Sequence, residues 1–128
     1  MNRQRVQLEF EKYVSHYDTA DPKIRLKIEH TYKVADLCER IARSLSMSEE
    51  EITAVWICGM LHDIGRFEQV HRFHTFIDAE SVDHAKFGAE LLFGEKKLIC
   101  RFLDKTDWHE RIRDAIYWHS AYRLPDSL

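Results

Sequence analysis

From Pro22 to Ser46, apolar or small residues return every three or four positions, at Ile24, Ile28, Thr31, Val34, Ala35, Cys38, Ile41 and Leu45. That spacing lays them along one side of a long α-helix. No stretch of the chain alternates apolar and polar residues strongly enough to read as a strand. A chain patterned in this way must bury its helical stripes against one another, so the fold expected is all-α, a helical bundle.

Local signals divide the chain further. A first helix is expected over 3–17, with Val6, Phe10, Tyr13 and Tyr17 on one side. Asp21 before Pro22 caps the long second helix, because Asp accepts from free amides and Pro suits the first helical position. Ser48 and Glu51 have the spacing of a capping box, and Met47 and Ile52 that of a hydrophobic staple around it. The third helix is expected to run to Ile64 and stop at Gly65. Residues 66–80, rich in aromatics, Arg and His, read as one long irregular stretch. Further helices are expected over about 81–94, 95–103 and 107–122, the last opened by a capping box of Asp107 and Glu110 and ended before Pro125.

At 128 residues the chain suits one domain with a core of its own, residues 1–128 forming a single unit. A formal charge of −3 excludes a global basic field able to hold duplex nucleic acid, so any phosphate recognition has to be local. Cys38, Cys58 and Cys100 are odd in number and set among apolar residues, which fits buried, reduced thiols and a cytoplasmic location. The amino terminus lacks the apolar run of a secretory signal, and nothing approaches the roughly 20 apolar residues that span a bilayer.

Eight histidines are many for this length. Four lie on or beside apolar stripes of successive helical segments: His30 with Val34, Leu37 and Ile41; His62 with Val55, Cys58 and Gly59; His84 with Phe87, Gly88 and Leu91; His119 with Ile112, Ala115 and Ile116. One such histidine alone is by default a core imidazole bonded to a carbonyl. Four together would need several separate buried partners, whereas a single metal centre satisfies them at once. Asp63, next to His62, supplies an anionic ligand.

The segment "WICGMLHDIG", with His30 one long helix upstream, resembles the HD superfamily of metal-dependent phosphohydrolases and its H…HD…D pattern. The likeness covers roughly residues 24–125 and implies an HD-type bundle of about six helices. "DHAKFGAELL" is similar to the stretch in which the histidine-rich two-metal branch places a further ligand, here His84, and His119 in "AIYWHSAYRLP" stands where that branch has one or two more. Trp118 precedes His119 and no GYP tripeptide follows, so the chain is not HD-GYP proper and cyclic di-GMP hydrolysis is not implied. The superfamily's last Asp lies on a later helix. Asp114 falls on a different face from His119 and Asp126 lies just past Pro125, so the resemblance implies a chain shortened by its final helix.

An imidazole and carboxylate set suits Mn, Fe, Co, Ni or Zn, as one or two ions. The metal ligands expected are His30, His62, Asp63, His84 and His119. Lys33, one turn after His30, and Arg66, directly after Gly65, are the phosphate donors expected, with Arg72 a third. Glu68 is placed to donate a proton to the leaving group or orient water, beside Asp63 as the other catalytic carboxylate. His71, His74, Phe67, Phe73 and Phe76 share the same stretch, while His16 and His109 have no assigned part. The reading is a metal-dependent phosphohydrolase acting on a small phosphate ester or nucleotide, with no duplex nucleic acid or membrane partner and with room for homo-oligomers. A di-iron oxygenase and a non-catalytic nucleotide-binding regulatory module are the alternatives.

Overall fold

The protein's computed structural model describes residues 1–121. Its element order is α1 (Arg3–Val14), α2 (Pro22–Ser44), α3 (Glu49–Leu61), α4 (Ile64–Phe73), a 3-10 turn (Asp78–Glu80), α5 (His84–Phe93), the single-turn α6 (Ile99–Phe102) and α7 (His109–Trp118). The fold is all-α, with no strand among the described residues and six helices of ten residues or more. No helix among them is long and apolar enough to cross a membrane.

Helix starts follow the sequence signals closely in the first half. Asp21 accepts from the Lys23 amide with Pro22 opening α2, and Ser48 and Glu51 form a reciprocal capping box before α3. Asn2 does the same work for α1, accepting from the Arg5 amide. Later starts differ from expectation. Helix α5 opens at His84, where Asp83 accepts from the amides of Ala85 and Lys86, and α7 follows Trp108 with no side-chain cap, so Asp107 and Glu110 form no capping box.

The largest correction lies at the centre of the chain. Helix α3 ends at Leu61, Asp63 breaks the helical path with φ −108° and ψ 17°, and α4 then occupies half of the stretch expected to be irregular. Ile64, Phe67 and Val70 give α4 a buried side at a spacing of three. Gly65 ends nothing: it lies in the first turn of α4, where a Cβ would stand 2.6 Å from the His84 carbonyl oxygen and 2.8 Å from the Gly88 amide nitrogen. The glycine serves close packing of α4 on α5.

Helix α2 packs chiefly on α3, and here too a glycine sets the distance, because a Cβ on Gly59 would reach 2.6 Å from the Ala35 Cα. The buried side of α2 is Ile24, Thr31, Ala35 and Ala42, whereas Ile41 and Leu45 face solvent. Steps of 3.6 residues from Ile24 lead to Ala42, so Ile41 falls about 100° off the buried line. One core cluster joins Val6 and Phe10 of α1, Ile57 and Met60 of α3, Phe67 of α4, Leu92 of α5, Phe102 of α6 and Ile116 of α7.

The three cysteines are unpaired, but the expectation of buried thiols is met only in part: Cys38 and Cys58 are half-buried and Cys100 is exposed. Ile99 and Phe102 take the inward positions of the short α6 and leave Cys100 outside. Burial pushes the Cys58 thiol up to about 12, so it stays protonated at neutral pH.

Candidate metal centre

The bundle brings Asp63 and four histidines to one point. His30 comes from the middle of α2, His62 from the residue that ends α3, His84 from the first residue of α5 and His119 from the end of α7. Asp63 sits between α3 and α4 with only 6% of its side chain exposed. One of its oxygens, Oδ2, lies 3.5 Å from His30 Nε2 and 3.4 Å from His62 Nε2. The other, Oδ1, lies 3.5 Å from His84 Nε2 and 3.4 Å from His119 Nε2. The carboxylate is thus shared between two triads of possible ligand atoms.

The helix ends explain why the imidazoles point this way. The last carbonyls of a helix have no amide partner within it. His62 Nδ1 bonds to the Gly59 carbonyl and His119 Nδ1 to the Ile116 carbonyl, each at 2.7 Å and each three residues back. A carbonyl only accepts, so Nδ1 carries the proton in both rings and Nε2 presents a lone pair. His84 obeys the same logic through a carboxylate: its Nδ1 donates to Asp78 Oδ2 at 2.7 Å.

The Nε2 atoms then face one another in pairs. His30 and His62 bring theirs to 3.4 Å, and His84 and His119 to 3.1 Å. The neutral rings of His84 and His119, both with Nδ1 committed, present lone pair to lone pair, a repulsion that a cation between them relieves. An ion with bonds of ~2.1 Å separates neighbouring ligand atoms by ~3.4 Å in tetrahedral and ~3.0 Å in octahedral coordination. The spacings here match those edges, so the five side chains fit one ion in each triad with Asp63 common to both.

Electrostatics favour the ligand forms of Asp63, His30 and His84. Burial pushes Asp63 towards protonation, but the imidazoles of His119 and His62, with Lys27, outweigh it and hold the carboxyl far below the usual carboxylate range. The start of α4 adds a favourable dipole, and the Asp63 side chain caps no helical amide, which leaves both oxygens free for the centre. Burial lowers His30 and His84 against the pull of the nearby carboxylates, keeping both neutral near pH 7. At His119 burial also acts downward, but the bond to Asp63 and the Ile116 carbonyl raise it.

These features decide the affiliation. The sequence profile described as the HD domain matches residues 28–125. The chain belongs to the HD domain family. This HD domain is similar to the 3'3'-cGAMP-specific phosphodiesterase 1 of Vibrio cholerae serotype O1, at 26% identity over 111 residues, which covers 78% of this chain and 25% of that protein. The chain therefore spans about a quarter of that relative's length. No solved structure matches.

Not every residue nominated from the sequence of this HD domain lies at the centre. Arg66 is near it but engaged: its Nη1 donates to Gln69 Oε1, the Phe76 carbonyl and Asp78 Oδ1. Lys33 is exposed and forms no ion pair among the described residues. Glu68 and Arg72 bond to each other at 2.7 Å and line a separate pocket whose walls include none of the five possible ligands. Burial raises the Glu68 carboxyl, but the Tyr17 hydroxyl and Arg72 outweigh it and lower it, which makes a poor proton donor at neutral pH. Asp114 pairs with Arg113 on α7, and Asp126 lies outside the described residues.

Three residues of the site went unnoticed in the sequence. Lys27, one turn before His30, places Nζ 3.7 Å from Asp63 Oδ2; the helical spacing that singled out Lys33 applies equally in the other direction. Asp78 belongs to the 3-10 turn, where no periodicity marks it. Gln69, fully buried, donates to Asp78 Oδ1, Ser81 Oγ and the Val82 carbonyl and thereby ties α4 to the start of α5.

Asp78 orients His84 twice, by accepting from its ring Nδ1 and from its amide at 3.2 Å. Substituting Asp78→Ala is expected to weaken metal affinity by about 10- to 100-fold, as for other carboxylates that hold a ligand imidazole. Competition titrations with a chromophoric chelator measure this directly. Affinity equal to that of the wild type would show that His84 needs no such partner.

Proposed function

We propose that the chain is a metal-dependent phosphohydrolase whose substrate is a small phosphate ester of the nucleotide class. The observation that carries this reading is the shared carboxylate: each Asp63 oxygen lies within 3.5 Å of two imidazole Nε2 atoms drawn from separate helical elements. Membership in the HD family supports hydrolysis of phosphate esters, and the cGAMP phosphodiesterase activity by which the Vibrio cholerae relative is named supports a nucleotide phosphodiester.

A divalent transition metal held there supplies acidification of water and polarisation of a phosphoryl oxygen. His30, His62 and Asp63 would hold one ion, and Asp63, His84 and His119 a second. The protein's own part is orientation and charge. His30 is the most open of the five side chains at 45% exposed, against 7% for His84, so substrate would approach past α2. Lys27 stands at that side with its ammonium within 3.7 Å of Asp63 and over the Phe76 ring at 5.2 Å, placed to meet a phosphoryl oxygen. Arg66 lies over the same ring at 5.6 Å, and its role is to add positive potential while its Nη1 braces Asp78 and Gln69.

The test combines metal analysis with turnover. Purified chain would be supplied with Mn²⁺, Fe²⁺ or Zn²⁺ and offered 3'3'-cGAMP, bis-p-nitrophenyl phosphate and p-nitrophenyl phosphate, with and without chelator. Metal-dependent phosphate ester cleavage abolished by Lys27→Ala or Asp63→Asn supports the proposal. Oxygen consumption with bound iron and no cleavage would assign the centre to oxygenase chemistry, and nucleotide binding without turnover would make it a regulatory module.

A further inference from the structure

A pocket of about 530 Å³ lies apart from the metal centre, bounded by α1, α4, the end of α5 and α6. That volume is within the range of sites for small organic ligands. Its apolar lining comes from Tyr13, Leu91, Leu98 and Phe102. Its charge is opposite to that of the whole chain: Lys12, Arg72, Lys96 and Arg101 line it against Glu9 and Glu68, four cations less two carboxylates, on a protein with formal charge −3.

The pairing within the pocket decides where the free charge lies. Glu9 is met by Lys12 at 3.4 Å, and Glu68 by Arg72 at 2.7 Å and by the Tyr17 hydroxyl. Lys96 and Arg101 are exposed and have no acidic partner among the described residues. A neighbouring concavity shares Lys12, Lys96 and Arg101 and adds Lys97. Lys97 holds φ at 46°, a left-handed conformation that favours glycine, in the turn that presents both lysines. The turn is fastened from α1, where Arg5 donates to the carbonyls of Cys100 and Arg101 and pairs with Asp104.

The geometry points to a second binding site in this pocket, for a mononucleotide-sized phosphate ester: Lys96 and Arg101 receive the phosphate, and the half-buried wall of Tyr13, Leu91 and Leu98 takes the flat apolar body. Inorganic phosphate alone would leave that wall wet, and an uncharged nucleoside would leave the two cations unused. The site is independent of the metal chemistry, yet it touches the same rigid element, since Arg72 in the last turn of α4 lines it and Asp63 precedes the first.

AMP is the probe, titrated into the intact chain by calorimetry and by amide chemical-shift mapping, beside inorganic phosphate and adenosine. AMP should bind more tightly than either fragment, with shifts at Tyr13, Lys96 and Arg101. The exposed double variant Lys96→Glu/Arg101→Glu should weaken binding at least tenfold with an unchanged melting temperature, and Lys96→Gln/Arg101→Gln should weaken it less. His30→Ala, which opens the metal centre, should leave it unchanged. The inference is overturned if AMP binding is absent, if both double variants bind as the wild type does, or if the shifts map only to the metal centre.

Discussion

Asp63→Asn is expected to reduce bound metal from two ions per chain to one or none and to lower kcat/KM by at least about 10³-fold, some 4 kcal/mol of transition-state stabilisation. The substitution keeps the shape of the side chain and changes only what its two terminal atoms can do. Oδ1 serves His84 and His119, and Oδ2 serves His30 and His62. An amide offers one neutral acceptor and one donor, so one triad loses its third ligand outright and the other loses its negative charge. The metal-free protein should be affected far less, because neutral imidazoles tolerate an amide neighbour and Lys27 is only partly buried. The rise in melting temperature on adding metal follows ligand occupancy, and it should shrink or vanish. A variant that still binds two ions and turns over at the wild-type rate would remove Asp63 from the centre.

The candidate metal centre could be read from the sequence because the histidines that the fold gathers there lie at regular places on regular elements. His30, His62, His84 and His119 each keep helical register with apolar neighbours, and the HD doublet ends an unbroken apolar run. What escaped is what tertiary contact decides. Gly65 reads locally as a helix terminator, yet the chain continues as α4 since Ile64, Phe67 and Val70 have a core to enter. Asp78 and Gln69 are loop and helix residues of ordinary appearance until the fold places Asp78 against His84 and Gln69 against Asp78. Glu68 and Arg72 looked close to Asp63 in sequence, but the turn of α4 carries them to another pocket. Along α2 the loose spacing of three or four admitted Ile41 and Leu45 to the stripe, whereas strict steps of 3.6 residues and the packing on α3 turn Ala42 inward instead.

Gly65→Ala should be strongly damaging for a single methyl group. Its Cβ would stand 2.6 Å from the His84 carbonyl oxygen, 2.8 Å from the Gly88 amide nitrogen and 3.0 Å from the Gly88 Cα, all backbone atoms that no rotamer change can move away. Alanine's better helix propensity returns only ~1 kcal/mol. Overpacking of this kind costs about 3 kcal/mol. The net loss of about 2 kcal/mol corresponds to a melting temperature lower by on the order of 8 °C, and relief comes only by moving α5 off α4. Because His84 begins α5, that movement separates His84 Nε2 from Asp63 and disables the triad with His119 while His30 and His62 stay in place. Gly59→Ala provides the mirror case. Its Cβ would meet the Ala35 Cα at 2.6 Å and push α2 from α3, opening the distance between His30 and His62 instead. Metal content measured on the two variants should therefore drop in each, and adding His84→Ala should cost further metal in the Gly59 variant but little in the Gly65 variant. If Gly65→Ala melts with the wild type and keeps all its metal, the close contact of α4 and α5 does not set the position of His84.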